Sequence, residues 1–303
     1  MNPQAIMDGL ITGSMIGLGA IGVTLTYSIL RFANFAHGEF ISWGAYFALA
    51  VSGALGSLSA ALLAPIGPFS FGWSLPLATA VAVALTGGLA LLVDALLFGR
   101  LRAQRSAVII MVMASFGAAL TLRSLLEFIF TSKPAYFSKA LQIALPLGGG
   151  LRATPDQILS LGIAVLLVVA IHLLLTRTAI GRSMRAVSEN QQLAGVVGID
   201  VRKVIRTVWV LGAGLACVAG VMAGLLVQIR PYMGFDLLLP LFAAAILGGI
   251  GSVPGAMLAG LIVGLTEAFA VQLIGAEWRA AIAFVILVAV LLLRPQGLFG
   301  RPE

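Results

Sequence analysis

The chain has 303 residues, of which 60% are hydrophobic and 10% charged, and its mean hydropathy is +1.10. Soluble proteins carry about 25% charged residues, so this composition cannot cover a water-facing surface and describes a polytopic membrane protein. The net charge of +7 does not point to nucleic acid, because the basic residues sit in loops between apolar runs, and a single cysteine excludes an intrachain disulfide or a multi-cysteine metal site.

A spanning helix needs about 20 mostly apolar residues. Ile6 to Leu30 is the first such run. No basic residue precedes it, so it reads as a retained span rather than a cleaved signal peptide. Gly9, Gly13 and Gly17 recur at four-residue spacing and admit another helix at close range. Arg31 ends this run, and a second span starts near Ala36, with Trp43 and Tyr46 either anchoring an interface or packing inside. Ser52 to Ser74 is uncharged and contains Pro65 and Pro68, which predicts a loop or a re-entrant piece. Leu75–Phe98 and Val108–Phe130 follow as spans, separated by the cluster Arg100, Arg102 and Arg105. Lys133 to Arg152 reads as a polar loop, Gln157–Thr176 as the fifth span and Val208–Ile229 as the sixth, with Ala216, Gly220 and Gly224 in small-residue register.

After Arg230 the pattern changes. Phe235–Leu247 is short and contains Pro240, GGIGSVPG (Gly248–Gly255) breaks it, and Ala256–Ile274 and Ala280–Leu293 are the last apolar runs. A Gly/Pro-broken helix at membrane depth is tolerated only where it is buried in protein or lines a wet cavity. The break is therefore either a transport pathway or a packing kink. The expected fold is all-α, with eight or nine spans and a broken helix near 235–255.

Basic residues set orientation. With the loop 178–206 placed inside, twelve Lys and Arg lie inside and five outside, Arg123 being within a span. That puts the N-terminus outside and the C-terminus in the cytoplasm. Arg31 and Arg230 each precede an aromatic residue, an acid and an apolar helix, on opposite sides, as an inverted repeat requires.

Chemistry is sparse. None of Lys133, Lys139 and Lys203 follows a glycine, so the chain has no Walker A motif. His37 and His172 lie on separate spans, and no cluster has metal-ligand spacing. No catalytic set, cofactor or metal site is expected. Asn34 and His37 share a helical face, whereas Glu39 points elsewhere. Arg123 and Glu127, four apart on one span, are expected to pair with each other, and Asp94 and Glu267 to reach the interface from near helix ends. Without a row of intramembrane carboxylates, proton-driven transport is disfavoured.

The longest hydrophilic interval is Thr178–Arg206, TAIGRSMRAVSENQQLAGVVGIDVRKVIR. Val187 to Val201 is expected to form one short helix with Leu193, Val196 and Val197 on one face. Such a helix suits docking in a partner's groove, the plainer alternative being an ordinary basic cytoplasmic loop.

Three stretches carry a resemblance: NFAHGEF with WGAY (Asn34–Phe40 and Trp43–Tyr46), TAIGRSMRAVSENQQLAGVVGIDVRKV (Thr178–Val204) and AAAILGGIGSVPGAMLAG (Ala243–Gly260). Over essentially its whole length the chain resembles the inner-membrane permeases of bacterial ABC importers for branched-chain amino acids, most closely the first of two related permease subunits. The resemblance implies a homologous second permease, two ATP-binding subunits that hold ATP and Mg²⁺, and a periplasmic solute-binding protein. That protein would meet the outward loops Lys133–Arg152 and Arg230–Asp236. It also implies that the loop 178–206 is the coupling segment of a single transmembrane domain covering 1–303. Arg182, Arg185, Glu189, Asn190, Leu193, Ala194, Gly198, Ile199 and Arg202 would then meet the ATPase, with glycines 181, 195 and 198 permitting the bounding turns. Asn34, His37, Glu39, Gly248, Gly249 and Gly251 are expected to line the pathway or support its gate. Related permeases carry urea and short amides, so the solute class stays open. A self-sufficient channel or secondary carrier filtered at Gly248–Gly255 is the alternative mechanism, and a membrane-embedded enzyme or scaffold a third class.

Overall fold

A computed structural model of the chain describes residues 4–138, 142–148, 151–293 and 297–299. Lys139, Arg294 and Arg301, three of the basic residues used to orient the chain, lie outside the described residues. Helix α1 runs Gln4–Leu30, α2 His37–Leu58 and α3 Ser74–Val93. A π turn at Asp94–Phe98 carries α3 into α4, Gly99–Ala103, and α5 runs Val108–Phe130. A short antiparallel hairpin follows, β1 (Leu145–Gly148) on β2 (Leu151–Ala153). Then come α6 (Pro155–Arg177), α7 (Ala179–Glu189), α8 (Gln191–Val196), α9 (Val201–Leu226), α10 (Met233–Gly248), α11 (Val253–Ile274) and α12 (Arg279–Leu293).

Among the described residues eight helical stretches are long and apolar enough to cross a membrane, and α10, with 16 residues, is shorter. The chain is a multi-pass membrane protein. Two boundaries and the placement of two acids differ from expectation. α2 continues to Leu58, so the loop before α3 covers only 59–73, because Ser52–Leu58 has no proline to stop the helix. α9 begins at Val201, which puts Arg202, Lys203 and Arg206 on its first turns. Asp94 and Glu267 do not reach water: Asp94 pairs with Arg102 at 2.8 Å, and Glu267 is buried with its nearest cation, Arg279, 3.9 Å away.

α1 is the central element, and its partner is fixed by glycine. A methyl group placed on Gly13 would lie 2.8 Å from the Gly260 carbonyl oxygen, and one on Gly264 would lie 2.3 Å from the Gly13 nitrogen. In lipid, apolar burial does not drive helices together, so such backbone contact supplies the association. On α9, Gly220 admits the Ile41 carbonyl of α2 in the same way. Trp43 and Tyr46 pack inside rather than at an interface.

The packing has an internal two-fold pattern. α1 packs on α9, α10 and α11, and α9 packs on α1, α2 and α3. α2 lies on α3, α10 lies on α11, and α2 meets α10. Exchanging α1, α2 and α3 for α9, α10 and α11 reproduces the set. One end of the bundle carries the hairpin, where Arg152 meets Gln4, Gln142 meets Pro68 and Ala135 bridges to Ile229. The other carries α7 and α8, where Arg31 meets Ser188. α1 and α9 therefore run antiparallel, the geometry of an inverted repeat.

Candidate functional site

Two regions combine polar groups with unusual backbone. The first is where α2 and α10 begin. After Leu30 the chain turns at Arg31, which has φ 58°, and returns along α1 without helical structure to His37. There the imidazole lies 2.7 Å from where a methyl on Gly22 would be. Gly22 is eight residues from the end of α1, about 12 Å at 1.5 Å per residue. α2 thus starts inside the membrane thickness. α10 does the same from the opposite end: a methyl on Gly234 would lie 1.9 Å from the Gly38 carbonyl oxygen. The Ser42 hydroxyl of α2 donates to the Pro231 carbonyl and accepts from the Gly234 N–H, both at 3.0 Å, and so caps α10. Two helix N-termini, each with a positive dipole end, face one another at depth.

The negative charge there is Glu39, in the first turn of α2. Its Oε1 accepts from Arg123 of α5, at 2.6 Å from Nη2 and 3.2 Å from Nε. The Arg123 guanidinium also lies 4.2 Å from the Phe235 ring centre and 5.2 Å from that of Tyr232. The expected Arg123–Glu127 pair is therefore incorrect. Spacing of four places both side chains on one face of α5, but α2 presses a fully buried carboxylate against the guanidinium. Glu127, half-buried, lies against the Tyr232 hydroxyl instead. Trp43, one turn along α2, donates to the Leu122 carbonyl at 3.1 Å and holds α2 to α5 at the same level.

Asn34 and Glu39 stand here, Asn34 accepting from the Ala36 N–H through Oδ1. His37 packs on Gly22 beside Phe40, with its imidazole against the Gly19 backbone. Gly248, Gly249 and Gly251 are elsewhere. They form the turn between α10 and α11 at the α7–α8 end, where Leu298 donates to the Leu247 carbonyl. Gly249 has φ 87° and Gly251 φ 92°, so both positions require glycine. Ser42, Tyr232 and Phe235 carry no site role in the sequence, and Arg123 is assigned there only to Glu127. Nothing in their spacing marks them, because they meet only when α2, α5 and α10 converge.

The second region is the α7–α8 elbow. Thr178, Asn190 and Asp200 cap α7, α8 and α9 in turn, accepting from Gly181, Leu193 and Lys203 N–H groups. Val187–Val201 is therefore not one helix. Asn190 adopts an extended conformation and starts a new helix, and Gly198 at φ 87° ends it, with the Ile199 N–H returning to the Ala194 carbonyl at 3.0 Å. Met184, Val187 and Ala194 face the bundle. The Gln191 amide donates to the Ile29 carbonyl and the Arg31 guanidinium to the Ser188 carbonyl, while Arg185 donates to Leu175. Outward stand Leu193 at 61%, Val196 at 84% and Val197 at 68% exposure, rimmed by Arg182, Glu189, Arg202 and Lys203, with Ile199 half-buried beneath. The elbow is an apolar knob with a mostly basic rim, fastened to the end of α1.

A family model described as the permease component of the branched-chain amino acid transport system matches residues 5–291. The chain belongs to this permease family. It is 33% identical to the high-affinity branched-chain amino acid transport permease BraD of Pseudomonas aeruginosa, over 99% of this chain and 96% of the relative. To LivH of Escherichia coli K12 the identity is 31%, again over 99% and 96%. To a probable LivH of Methanocaldococcus jannaschii it is 29%, over 99% and 93%. In this permease, then, the three stretches that carried the resemblance have structural roles. Asn34–Tyr46 makes the buried start of α2, Thr178–Val204 makes the elbow, and Ala243–Gly260 makes the α10–α11 turn.

Proposed function

We propose that the chain is one permease subunit of an ATP-driven importer, forming half of the passage for branched-chain or related amino acids. The elbow docks in a groove of an ATP-binding subunit, which supplies the nucleotide chemistry this chain lacks. The hairpin end faces the solute-binding protein, and a homologous permease supplies the other half of the passage. The observation that carries this reading is the exposed knob Leu193, Val196 and Val197 on a helix pinned at both ends by caps. Three apolar side chains facing water on a six-residue helix and its C-cap need a partner, and the pins convert its displacement into motion of the bundle. Arg31 and Gln191 tie the elbow to the end of α1 and to the strand of backbone that leads into α2. A push on α8 therefore reaches Glu39 and Arg123.

In the assembled importer, Val196→Asp should abolish solute-stimulated ATP hydrolysis while membrane insertion is unchanged. Gly198→Leu and Glu189→Lys should do the same, the first because φ 87° is strained for a side chain by about 1–2 kcal/mol. Unchanged stimulation in all three would remove the elbow from the mechanism. Uptake by the permease alone in liposomes would favour a self-sufficient carrier instead. The orientation, N-terminus outside and elbow in the cytoplasm, is checked with Gln192→Cys. Cys217 is the single native cysteine and is wholly buried, so a membrane-impermeant maleimide should label position 192 only after permeabilisation. Labelling in intact cells would reverse the topology.

A further inference from the structure

A cavity of about 140 Å³ opens between the hairpin ends of α1, α11 and α12, away from both regions above. Its lining includes Ala5, Asp8, Thr12, Glu267, Gln272 and Arg279. Glu267 is 1% exposed, yet its Oε1 has no hydrogen-bond partner among the described residues, and its Oε2 is 3.9 Å from Arg279 Nε. A buried carboxylate with an unmet oxygen against a cavity calls for a donor. Asp8 stands four residues into α1 and Glu267 seven before the end of α11, about 6 and 10 Å from the helix ends. The 27 residues of α1 span about 40 Å, so a site four residues from its end lies near the edge of a hydrocarbon core about 30 Å thick.

We propose that this cavity holds the headgroup of a phospholipid bearing a primary ammonium beside its phosphate, such as phosphatidylethanolamine. The ammonium donates to Glu267 Oε1 and Asp8, and the phosphate accepts from the Arg279 guanidinium, so each charge of the headgroup meets its opposite. An inorganic cation fits less well. No group of three His, Cys or acidic residues among the described residues is arranged to hold a metal, and Arg279 opposes a bare positive charge. A choline headgroup has no N–H to give Oε1, and a glycerol headgroup leaves both carboxylates facing a net negative lipid.

The test is native mass spectrometry of the assembled importer released from nanodiscs containing equal amounts of phosphatidylethanolamine, phosphatidylcholine and phosphatidylglycerol. Retention of the ethanolamine lipid should exceed that of the choline lipid about tenfold, the discrimination expected of one charge-assisted hydrogen bond. Glu267→Gln should erase the preference, whereas Glu277→Gln, on the exposed turn before α12, should not. If Glu267→Gln fails to assemble, Asp8→Asn at the rim should still lower the preference several-fold. Equal retention of the three lipids, or a preference untouched by both Glu267→Gln and Asp8→Asn, would overturn the assignment. Stabilisation of the detergent-purified complex by ethylammonium chloride to the same degree as by the lipid would assign the cavity to free amines and overturn it too.

Discussion

Replacing Gly264 with leucine should leave no folded permease in the membrane. A first side-chain carbon at this position would lie 2.3 Å from the Gly13 nitrogen and 2.4 Å from its Cα, and 2.7 Å from the Gly9 carbonyl oxygen. These are backbone atoms of α1 and cannot swing aside as a side-chain end can. Leucine must instead push α11 off α1 along the whole seam from Gly9 to Gly17. Because lipid solvates separated apolar helices as well as they solvate each other, nothing compensates for the lost contact. The cost should reach at least about 4 kcal/mol, the range reserved for severe core disruption. Even alanine carries the offending carbon, so Gly264→Ala should also reduce folded yield. Gly117, on α5, has nothing within 4 Å of the same position. Gly117→Ala should be neutral or stabilising by up to about 1 kcal/mol through helix propensity. Size-exclusion profiles of the detergent-extracted permease, with thermal melts, separate the two positions. A monodisperse, wild-type-like peak for Gly264→Leu would contradict the close seam.

This seam was half legible in the sequence. The four-residue spacing of Gly9, Gly13 and Gly17 announces that some helix approaches α1, but the partner, 247 residues away from Gly13 to Gly260, has its own stripe at Gly260 and Gly264 that only the fold connects. The spans themselves were legible because lipid demands about 20 apolar residues in a row, and Val108–Phe130 was bounded to the residue. The elbow reads as one helix because Asn190 is a tolerable helix residue by propensity, while its preference for an N-cap acts only once the chain turns. Charges at depth were the least legible. Arg123 has an acid four residues on, and the local rule selects Glu127. A guanidinium in an apolar interior instead takes the carboxylate that tertiary packing brings nearest, and that depends on α2 starting partway through the membrane. No periodicity records that start. It follows from six residues, Arg31 to Ala36, returning along α1 without forming a helix.

Glu39→Ala should destabilise the permease far more than removal of Glu39 and Arg123 together. The single change removes the carboxylate from a buried guanidinium and leaves it over the faces of Phe235 and Tyr232, and truncating one partner of a buried ion pair costs about 3–5 kcal/mol. Glu39→Leu combined with Arg123→Leu removes the stranded charge, and such apolar replacements are often neutral. Charge reversal, Glu39→Arg with Arg123→Glu, should not restore stability. It would place a cation in the first turn of α2, where the helix dipole opposes it, and next to the N-terminus of α10. Stability and transport should then part company. The pair joins α2 to α5, and in the proposed mechanism α2 takes motion from the elbow through Arg31. If it transmits that motion, the double leucine variant folds and binds its ATP-binding partners, yet solute uptake falls at least about tenfold, a change of about 1.4 kcal/mol in the coupled step. A purely structural pair would leave uptake by the folded double variant unchanged. Melting curves for the four combinations of Glu39 and Arg123 give the coupling energy, and uptake by reconstituted complexes matched for folded protein gives the mechanism. Wild-type uptake by the double leucine variant would mean that force from the elbow reaches the passage by a route that does not include α2 and α5.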